Sequence, residues 1–160
     1  MFRDINHFTG EALGILSIAL LIALIIFIFF LLTLQNCLKN ISPENRKMPP
    51  ANVWLMFIPV FNWFFQFNMV SKISDSLAAE FQKRGITGEE ARPGYNIGLA
   101  FCICNIVGNL LSRNVNTLEI STLAGIGALV CLIIYWVKIS NYSKQLGSSD
   151  GNDNILDRNI

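Results

Sequence analysis

Charged residues are scarce in this sequence, and the few that are present avoid its long apolar runs. Asp, Glu, Lys and Arg account for 14% of the 160 residues, whereas 52% are hydrophobic. Ionisable side chains within membrane-embedded segments usually mark proton relays and ion pathways. Because the apolar runs contain none, the sequence argues against a proton-coupled transporter. The net charge of +1 does not indicate a nucleic-acid partner, and the sequence has no basic run dense enough to bind one.

The chain also has little with which to build a catalytic or metal centre. It contains one histidine, His7, and four cysteines. Cys102 and Cys104 are two residues apart, so on a helix they point in nearly opposite directions and cannot hold one ion together. Cysteines within apolar helical stretches behave as small hydrophobic side chains. We therefore predict no catalytic residue, no metal and no cofactor, and we do not expect an enzyme.

What the sequence has in abundance is uncharged apolar segments. Four can be distinguished, at residues 12–34, 51–70, 95–111 and 120–137. As a helix, the first would span roughly 34 Å, slightly more than the hydrocarbon core of a bilayer. Small residues in the third and fourth segments predict that these two form a tight helical hairpin. We predict an all-α integral membrane bundle over residues 1–146, with three clear transmembrane helices, and a disordered polar tail over residues 147–160.

The second segment differs from the others because Pro59 interrupts it and amide side chains follow. Pro59 is a candidate kink, since proline lacks a backbone donor, and residues 51–70 either span the membrane or enter it and return. If they span, Lys and Arg divide eight against four between the two sides, and if they re-enter, ten against two. The positive-inside rule favours re-entry. Both alternatives place loop 71–94 and the C-terminus in the cytoplasm.

Two pairs of amides lie within the apolar segments. Asn62 and Gln66 are four residues apart, as are Asn105 and Asn109, so each pair lies on one face of its helix. Amides inside a membrane bundle commonly join helices by hydrogen bonds. Alternatively, they line a polar groove for a lipid headgroup or a small solute. We hypothesise that the two pairs face each other.

Apolar residues keep a helical spacing beyond residue 70, with charged residues on the opposite face. The pattern predicts one helix over residues 60–83 that leaves the membrane partway along its length. Ile73, Leu77 and Phe81 form its apolar stripe and are a candidate partner surface. Glu80 is expected on the solvated face of the same helix.

Basic residues flank the apolar segments at positions typical of lipid-headgroup contacts. Arg46 and Lys47 lie in the turn between the first two segments, and Lys138 follows the fourth. We predict that these three side chains contact membrane lipids.

Three sequence blocks resemble a family of small, uncharacterised bacterial multi-pass integral membrane proteins. The blocks are SPENRKMPPANVWLMFIPVFNWFFQF, RPGYNIGLAFCIC and LAGIGALVCLIIYWVKISNYSKQL. The resemblance covers roughly residues 35–146. It implies a multi-pass protein of the bacterial cell membrane and no particular activity.

The leading functional prediction is a small scaffold or accessory subunit that acts by protein interaction, with another membrane protein or a second copy as partner. A lipid-binding or solute-binding protein with an amide-lined interior is the alternative. A lipid-modifying enzyme is the third.

Overall fold

The computed structural model describes residues 2–87, 90–113 and 115–156, and throughout this range the chain is helical or irregular, with no strand. The elements are α1 (Phe2–Lys39), η1 (Pro50–Phe57), α2 (Pro59–Lys83), α3 (Tyr95–Leu111), η2 (Val115–Thr117) and α4 (Leu118–Leu156), where η denotes a 3-10 helix. The prediction of an all-helical fold is confirmed. The chain divides into two compact units, residues 1–32 and residues 33–160.

The first unit, residues 1–32, contains most of the apolar segment of α1. Its large hydrophobic side chains from Leu13 to Ile26 are exposed. The Ser17 Oγ donates to the backbone oxygens of Leu13 and Gly14, at 3.0 and 2.8 Å. The only hydroxyl on this described apolar stretch is therefore satisfied within its own helix, and its surface is apolar on all sides.

Two helical stretches are long and apolar enough to cross a membrane, Leu13–Lys39 and Leu118–Ser148. Only 11% of the apolar window in each stretch is buried. A core helix of a soluble protein would be mostly buried, so the exposure of these two distinguishes them from such a helix. The third apolar helix, α3, is shorter.

In the second unit, α3 packs along α4 as an antiparallel hairpin. A Cβ on Gly108 would lie 3.5 Å from the backbone nitrogen of Gly125. The Ser121 Oγ donates to the Gly108 backbone oxygen at 3.1 Å. At the other end, a Cβ on Gly98 would lie only 2.9 Å from the Tyr135 ring. The predicted tight hairpin is present, and its helices approach closely where glycine lacks a side chain.

The second apolar segment is two helices. The 3-10 helix η1 ends at Phe57, Ile58 is extended (φ −83°, ψ 108°), and α2 begins at Pro59. Pro59 lies at this interruption and occupies the first helical position of α2, where its missing N–H costs nothing. The predicted helix over residues 60–83 agrees with α2. Because η1 packs against α2, the segment folds back on itself.

The apolar stripe of α2 is covered by the chain itself. Ile73 and Leu77 are completely buried, and Phe81 is 4% exposed, with the Tyr142 ring edge-on to it at 5.5 Å. The prediction that this stripe is a free partner surface is therefore wrong. The physical reason is that the turn after α1 and the C-terminal half of α4 fold onto α2, as their hydrogen bonds demonstrate.

A polar cluster of Asn40, Ser42, Asn45, Glu80 and Arg84 joins that turn to α2. Glu80 is fully buried. Its carboxylate accepts hydrogen bonds from the Ser42 N–H at 3.1 Å, the Ser42 hydroxyl at 2.8 Å, the Asn45 amide at 2.8 Å and the Arg84 guanidinium at 2.7 Å. Glu80 was expected on a solvated face, and that expectation is wrong because the turn supplies three donors and Arg84, at the end of α2, supplies a fourth.

Burial alone raises the pKa of Glu80, but its hydrogen bonds with Asn45, Ser42 and Arg84 outweigh it and lower the pKa. The same cluster reaches α4. Arg84 donates to the backbone oxygen of Leu146 at 2.9 Å, and the Asn40 amide donates to the Ser143 backbone oxygen at 3.1 Å. The turn, the end of α2 and this part of α4 therefore form one hydrogen-bonded end of the second unit.

The fourth helix, α4, continues past Leu146 to Leu156. The predicted disorder of the polar segment 147–160 stays a prediction. Extending an existing helix adds one hydrogen bond per residue without a new nucleation step, so a polar continuation follows more readily than it would form alone. The predicted tail beyond residue 156 lies outside the described residues.

Candidate functional site

A groove of about 320 Å³ lies between the C-terminal half of α3 and the N-terminal half of α4. The polarity of its lining changes along the hairpin. Asn109, Ser112 and Ser121 lie towards η2, whereas Phe101 and Leu132 lie at the opposite end. The remaining lining residues are Cys104, Asn105, Gly108, Gly125, Ala128 and Leu129. The groove is therefore polar at one end and apolar at the other.

The predicted amide pair on α3 lies in this groove. The Asn109 Nδ2 donates to the Asn105 backbone oxygen at 2.8 Å and contacts the Asn105 Oδ1 at 3.4 Å. Asn105 is half-buried and Asn109 is exposed. Among the described residues, the Asn109 Oδ1 and the Asn105 Nδ2 have no protein partner, so the pair keeps one acceptor and one donor for a ligand.

The two serines of the groove also retain hydrogen-bonding capacity. The Ser112 Oγ donates to the Asn109 backbone oxygen at 2.9 Å, and the Ser121 Oγ donates to that of Gly108. Each hydroxyl donates its proton to a backbone oxygen and keeps lone pairs that can accept a hydrogen bond. None of the described residues lining the groove is charged. The site is therefore suited to a neutral or zwitterionic polar group.

The space in the groove depends on Gly125. A Cβ added to Gly125 would meet no atom within 4 Å, whereas one added to Gly108 would meet α4 at 3.5 Å. A methyl group at position 108 would thus be in ordinary van der Waals contact with α4, while Gly125 leaves open volume in the groove wall. A larger side chain at position 125 would fill the groove without displacing a helix.

The second amide pair does not join the first. Gln66 is 2% exposed, and its Nε2 donates to the Trp63 backbone oxygen of its own helix at 3.3 Å. The Asn62 Oδ1 is buried without a hydrogen-bond partner in the described part of the chain. Neither residue is among those lining the groove. The structure therefore does not support the hypothesis that the two pairs face each other.

Two of the three predicted headgroup contacts have partners within the protein. Arg46 donates to the backbone oxygens of Lys39 and Ile41, at 3.3 and 2.9 Å, and so caps the end of α1. Lys138 forms an ion pair with Glu90, and this pair lowers the pKa of Glu90. Lys47 is exposed. Contact of these three residues with lipid stays a prediction.

The sequence analysis identified Asn105 and Asn109 but missed Ser112, Ser121 and Gly125 as parts of the same site. The serines and the glycine are separate weak signals, and only the antiparallel register of α3 and α4 brings them opposite the amides. Comparisons of the chain with protein-family models, curated proteins and solved structures find no match. The resemblance to small bacterial membrane proteins therefore stays a prediction, and the functional argument rests on the groove.

Proposed function

We propose that this chain is an integral membrane protein in which α1, α3 and α4 cross the bilayer and η1 with α2 form a re-entrant hairpin. The exposed apolar side chains of α1 and α4 support insertion. So do those at the η1–α2 junction, where Phe57, Ile58, Phe61 and Phe64 are exposed, Phe64 by 80%. A water-facing turn would not expose such residues together.

The polar cluster supports re-entry of residues 51–70 over spanning. In the spanning alternative, Asn45 and Glu80 would lie on opposite sides of a hydrocarbon core about 30 Å thick. Their side chains are 2.8 Å apart. At about 2.0 Å per residue, the eight residues of η1 cover about 16 Å, half of that core. Re-entry also gives the ten-to-two division of basic residues with the cytoplasmic side enriched.

Irregular backbone within a membrane must have its polar groups satisfied. At the break between η1 and α2, the Ile58 N–H donates to the Leu55 oxygen at 3.1 Å, and the Ile58 oxygen accepts from the Asn62 N–H at 2.8 Å. Pro59 has no N–H to satisfy. At the break, both backbone groups of Ile58 are therefore hydrogen-bonded, which is compatible with a position inside the bilayer.

Thiol labelling in intact cells tests this topology. Cys37 is fully buried, so we use Lys39→Cys as the reporter and Asn116→Cys, on the opposite side, as its control, each in a variant without the native cysteines. Re-entry predicts that a membrane-impermeant reagent labels Asn116→Cys in intact cells and Lys39→Cys only after lysis. Labelling of Lys39→Cys in intact cells would contradict it.

Within this architecture, we propose that the protein binds a membrane lipid in the groove between α3 and α4. The observation that carries the proposal is the exposed Asn109 beside exposed Val107 and Leu110. An amide in such apolar surroundings is costly unless it is hydrogen-bonded. A lipid headgroup would bond the amides and serines, while an acyl chain would follow the apolar end of the groove past Leu129 and Leu132.

Native mass spectrometry of protein extracted in mild detergent tests lipid binding. The wild type should retain a lipid. Asn105→Leu combined with Asn109→Leu should reduce retention by about tenfold or more, because two hydrogen bonds at about 1 kcal/mol each are lost. Gly125→Leu should abolish it by filling the groove. Asn68→Leu is the control, since Asn68 is an exposed amide on α2.

Equal retention in all four proteins would contradict lipid binding in the groove. A stoichiometric membrane protein released by Gly125→Leu would instead identify a partner helix as the occupant. The surface predicted for a scaffold function is not accessible to a partner, because Ile73, Leu77 and Phe81 are buried.

A further inference from the structure

The polar end of the α3–α4 groove offers a ligand mainly acceptor oxygens. The Ser112 and Ser121 hydroxyls donate to the backbone oxygens of Asn109 and Gly108, so while these bonds hold each hydroxyl oxygen can only accept from a ligand. The Asn109 Oδ1 is a further acceptor. We propose that the groove selects a zwitterionic lipid whose headgroup ammonium carries N–H donors, as that of phosphatidylethanolamine does. This inference rests on the lipid binding proposed above.

The orientation of the two amides follows from the groups that they contact. A backbone oxygen can only accept, so the Asn109 atom that lies 2.8 Å from the Asn105 backbone oxygen is the nitrogen. The Asn109 Oδ1 is then the atom left for a ligand. The same nitrogen lies 3.4 Å from the Asn105 Oδ1, which leaves the Asn105 Nδ2 as a donor. An ammonium can therefore bond the free oxygens, while the Asn105 Nδ2 donates to the lipid phosphate.

The helix ends at this part of the groove favour a cation. Asn109 and Ser112 lie at the C-terminal end of α3, where the helix dipole concentrates partial negative charge, and the last turn of α3 has no basic residue. The opposite dipole at the start of α4 is offset by Glu119 in its first turn. Arg113, which follows α3, lies over the Trp63 ring of α2, 5.9 Å from the ring centroid. A headgroup ammonium is therefore favoured by charge as well as by hydrogen bonding.

Three phospholipid headgroups separate these two requirements. Phosphatidylethanolamine has both a cation and N–H donors. Phosphatidylcholine keeps the positive charge but has no N–H, so the free oxygens would gain no hydrogen bond. Phosphatidylglycerol has hydroxyl donors but a net negative charge, and none of the described residues lining the groove is a cation that could pair with it. The groove should therefore bind phosphatidylethanolamine better than either of the others.

Competition between headgroups on the full-length protein tests this preference. Protein in mild detergent is exchanged into equal amounts of phosphatidylethanolamine, its N-methyl and N,N-dimethyl derivatives, phosphatidylcholine and phosphatidylglycerol, all with the same acyl chains. Native mass spectrometry then measures the occupancy of each lipid. Occupancy should fall with each methyl group, by about tenfold or more from phosphatidylethanolamine to phosphatidylcholine, because each methyl removes one charge-assisted donor. Phosphatidylglycerol should also bind about tenfold or more below phosphatidylethanolamine.

Substitution of the two serines tests whether their oxygens cause the preference. Ser112→Ala combined with Ser121→Ala removes two acceptors, so the ratio of phosphatidylethanolamine to phosphatidylcholine should fall by about fivefold or more. Thr122→Ala is the matched control. The exposed Thr122 hydroxyl donates to the Leu118 backbone oxygen of its own helix, and Thr122 is not among the residues lining the groove. This control should leave the ratio unchanged.

The outcomes separate the headgroup preference from lipid binding itself. Equal binding of phosphatidylethanolamine and phosphatidylcholine, a preference for phosphatidylglycerol, or an unchanged ratio in the double serine variant would each overturn the preference. Lipid binding in the groove would still stand if Gly125→Leu removes the bound lipid. If Gly125→Leu removes none of it, or if the wild type retains no lipid of any kind, both proposals are wrong.

Discussion

The polar cluster and the groove both place polar side chains between helices, but they use them in opposite ways. In the cluster, the carboxylate of Glu80 accepts four hydrogen bonds and is sealed from solvent. In the groove, Asn105 and Asn109 bond mainly to their own helix and keep a donor and an acceptor open. A satisfied, buried network stabilises one structure. Polar groups with remaining capacity at an apolar surface are what a ligand can use, so the groove is the better candidate for function.

Among substitutions that compare the two regions, Glu80→Ala should cause the largest loss of unfolding free energy. It leaves the Arg84 guanidinium, 19% exposed, and the Ser42 N–H without their acceptor. Removing one member of a buried, hydrogen-bonded pair costs about 3–5 kcal/mol. Unfolding in detergent, followed by circular dichroism, measures the loss. The control is Asp75→Ala, which removes an ion pair with Arg92 whose side chains are 40–42% exposed, and it should cost less than about 1 kcal/mol.

The pH dependence of stability tests whether the ionised Glu80 carboxylate stabilises the polar cluster. The pKa of Glu80 is lower in the folded protein than its ordinary value of 4.5. Its ionised form is therefore stabilised by folding, and this contribution is complete above pH 4.5 and is lost as the pH falls through the lower folded pKa. The difference in unfolding free energy between wild type and Glu80→Ala should stay constant from pH 7 to 5 and shrink below 4.5. A difference that shrinks between pH 7 and 5 would contradict it.

The next largest difference in stability should be between alanine substitutions at two glycines. A Cβ on Gly98 would lie 2.6 Å from the Val70 side chain and 2.9 Å from the Tyr135 ring, whereas a Cβ on Gly125 would meet nothing. Gly98→Ala should therefore destabilise the protein by about 1–3 kcal/mol through overpacking. Gly125→Ala should be neutral or stabilise by up to about 1 kcal/mol, because alanine favours helix. Thermal unfolding compares the two, and equal losses would refute the assignment of Gly125 to open space.

Sequence reasoning recovered the features that depend on near neighbours. Hydropathy and spacing located α3, and the apolar period after residue 70 predicted the continuous helix to Lys83. The proline was recognised as a break, but whether it kinks one helix or starts another depends on Ile58, whose extended backbone is typical of a residue before proline. That local preference can be read from the sequence.

The wrong predictions depended on distant residues. An apolar stripe such as Leu77 looks the same whether lipid, a partner or the chain itself covers it, and here the cover comes from the turn after α1 and from Tyr142. Glu80 looked solvated because Ser42 and Asn45, its partners, are 38 and 35 residues away. The groove could not be predicted from the sequence because it depends on the register of α3 against α4, which brings distant residues together.

The smallest change in unfolding free energy should come from breaking a second bridge between the turn after α1 and α2. Glu44, in the turn, forms an ion pair with Lys83 at the end of α2, just as Asn45 of that turn bonds Glu80 of α2. The two bridges differ in burial, since the side chains of Lys83 and Glu44 are 51% and 66% exposed. Water and salt screen an exposed pair, and fixing two long side chains costs entropy. Glu44→Ala should therefore leave the unfolding free energy unchanged within error at both low and high salt. A loss comparable to that of Glu80→Ala would mean that tying the turn to α2, and not burial of the carboxylate, stabilises this end of the protein.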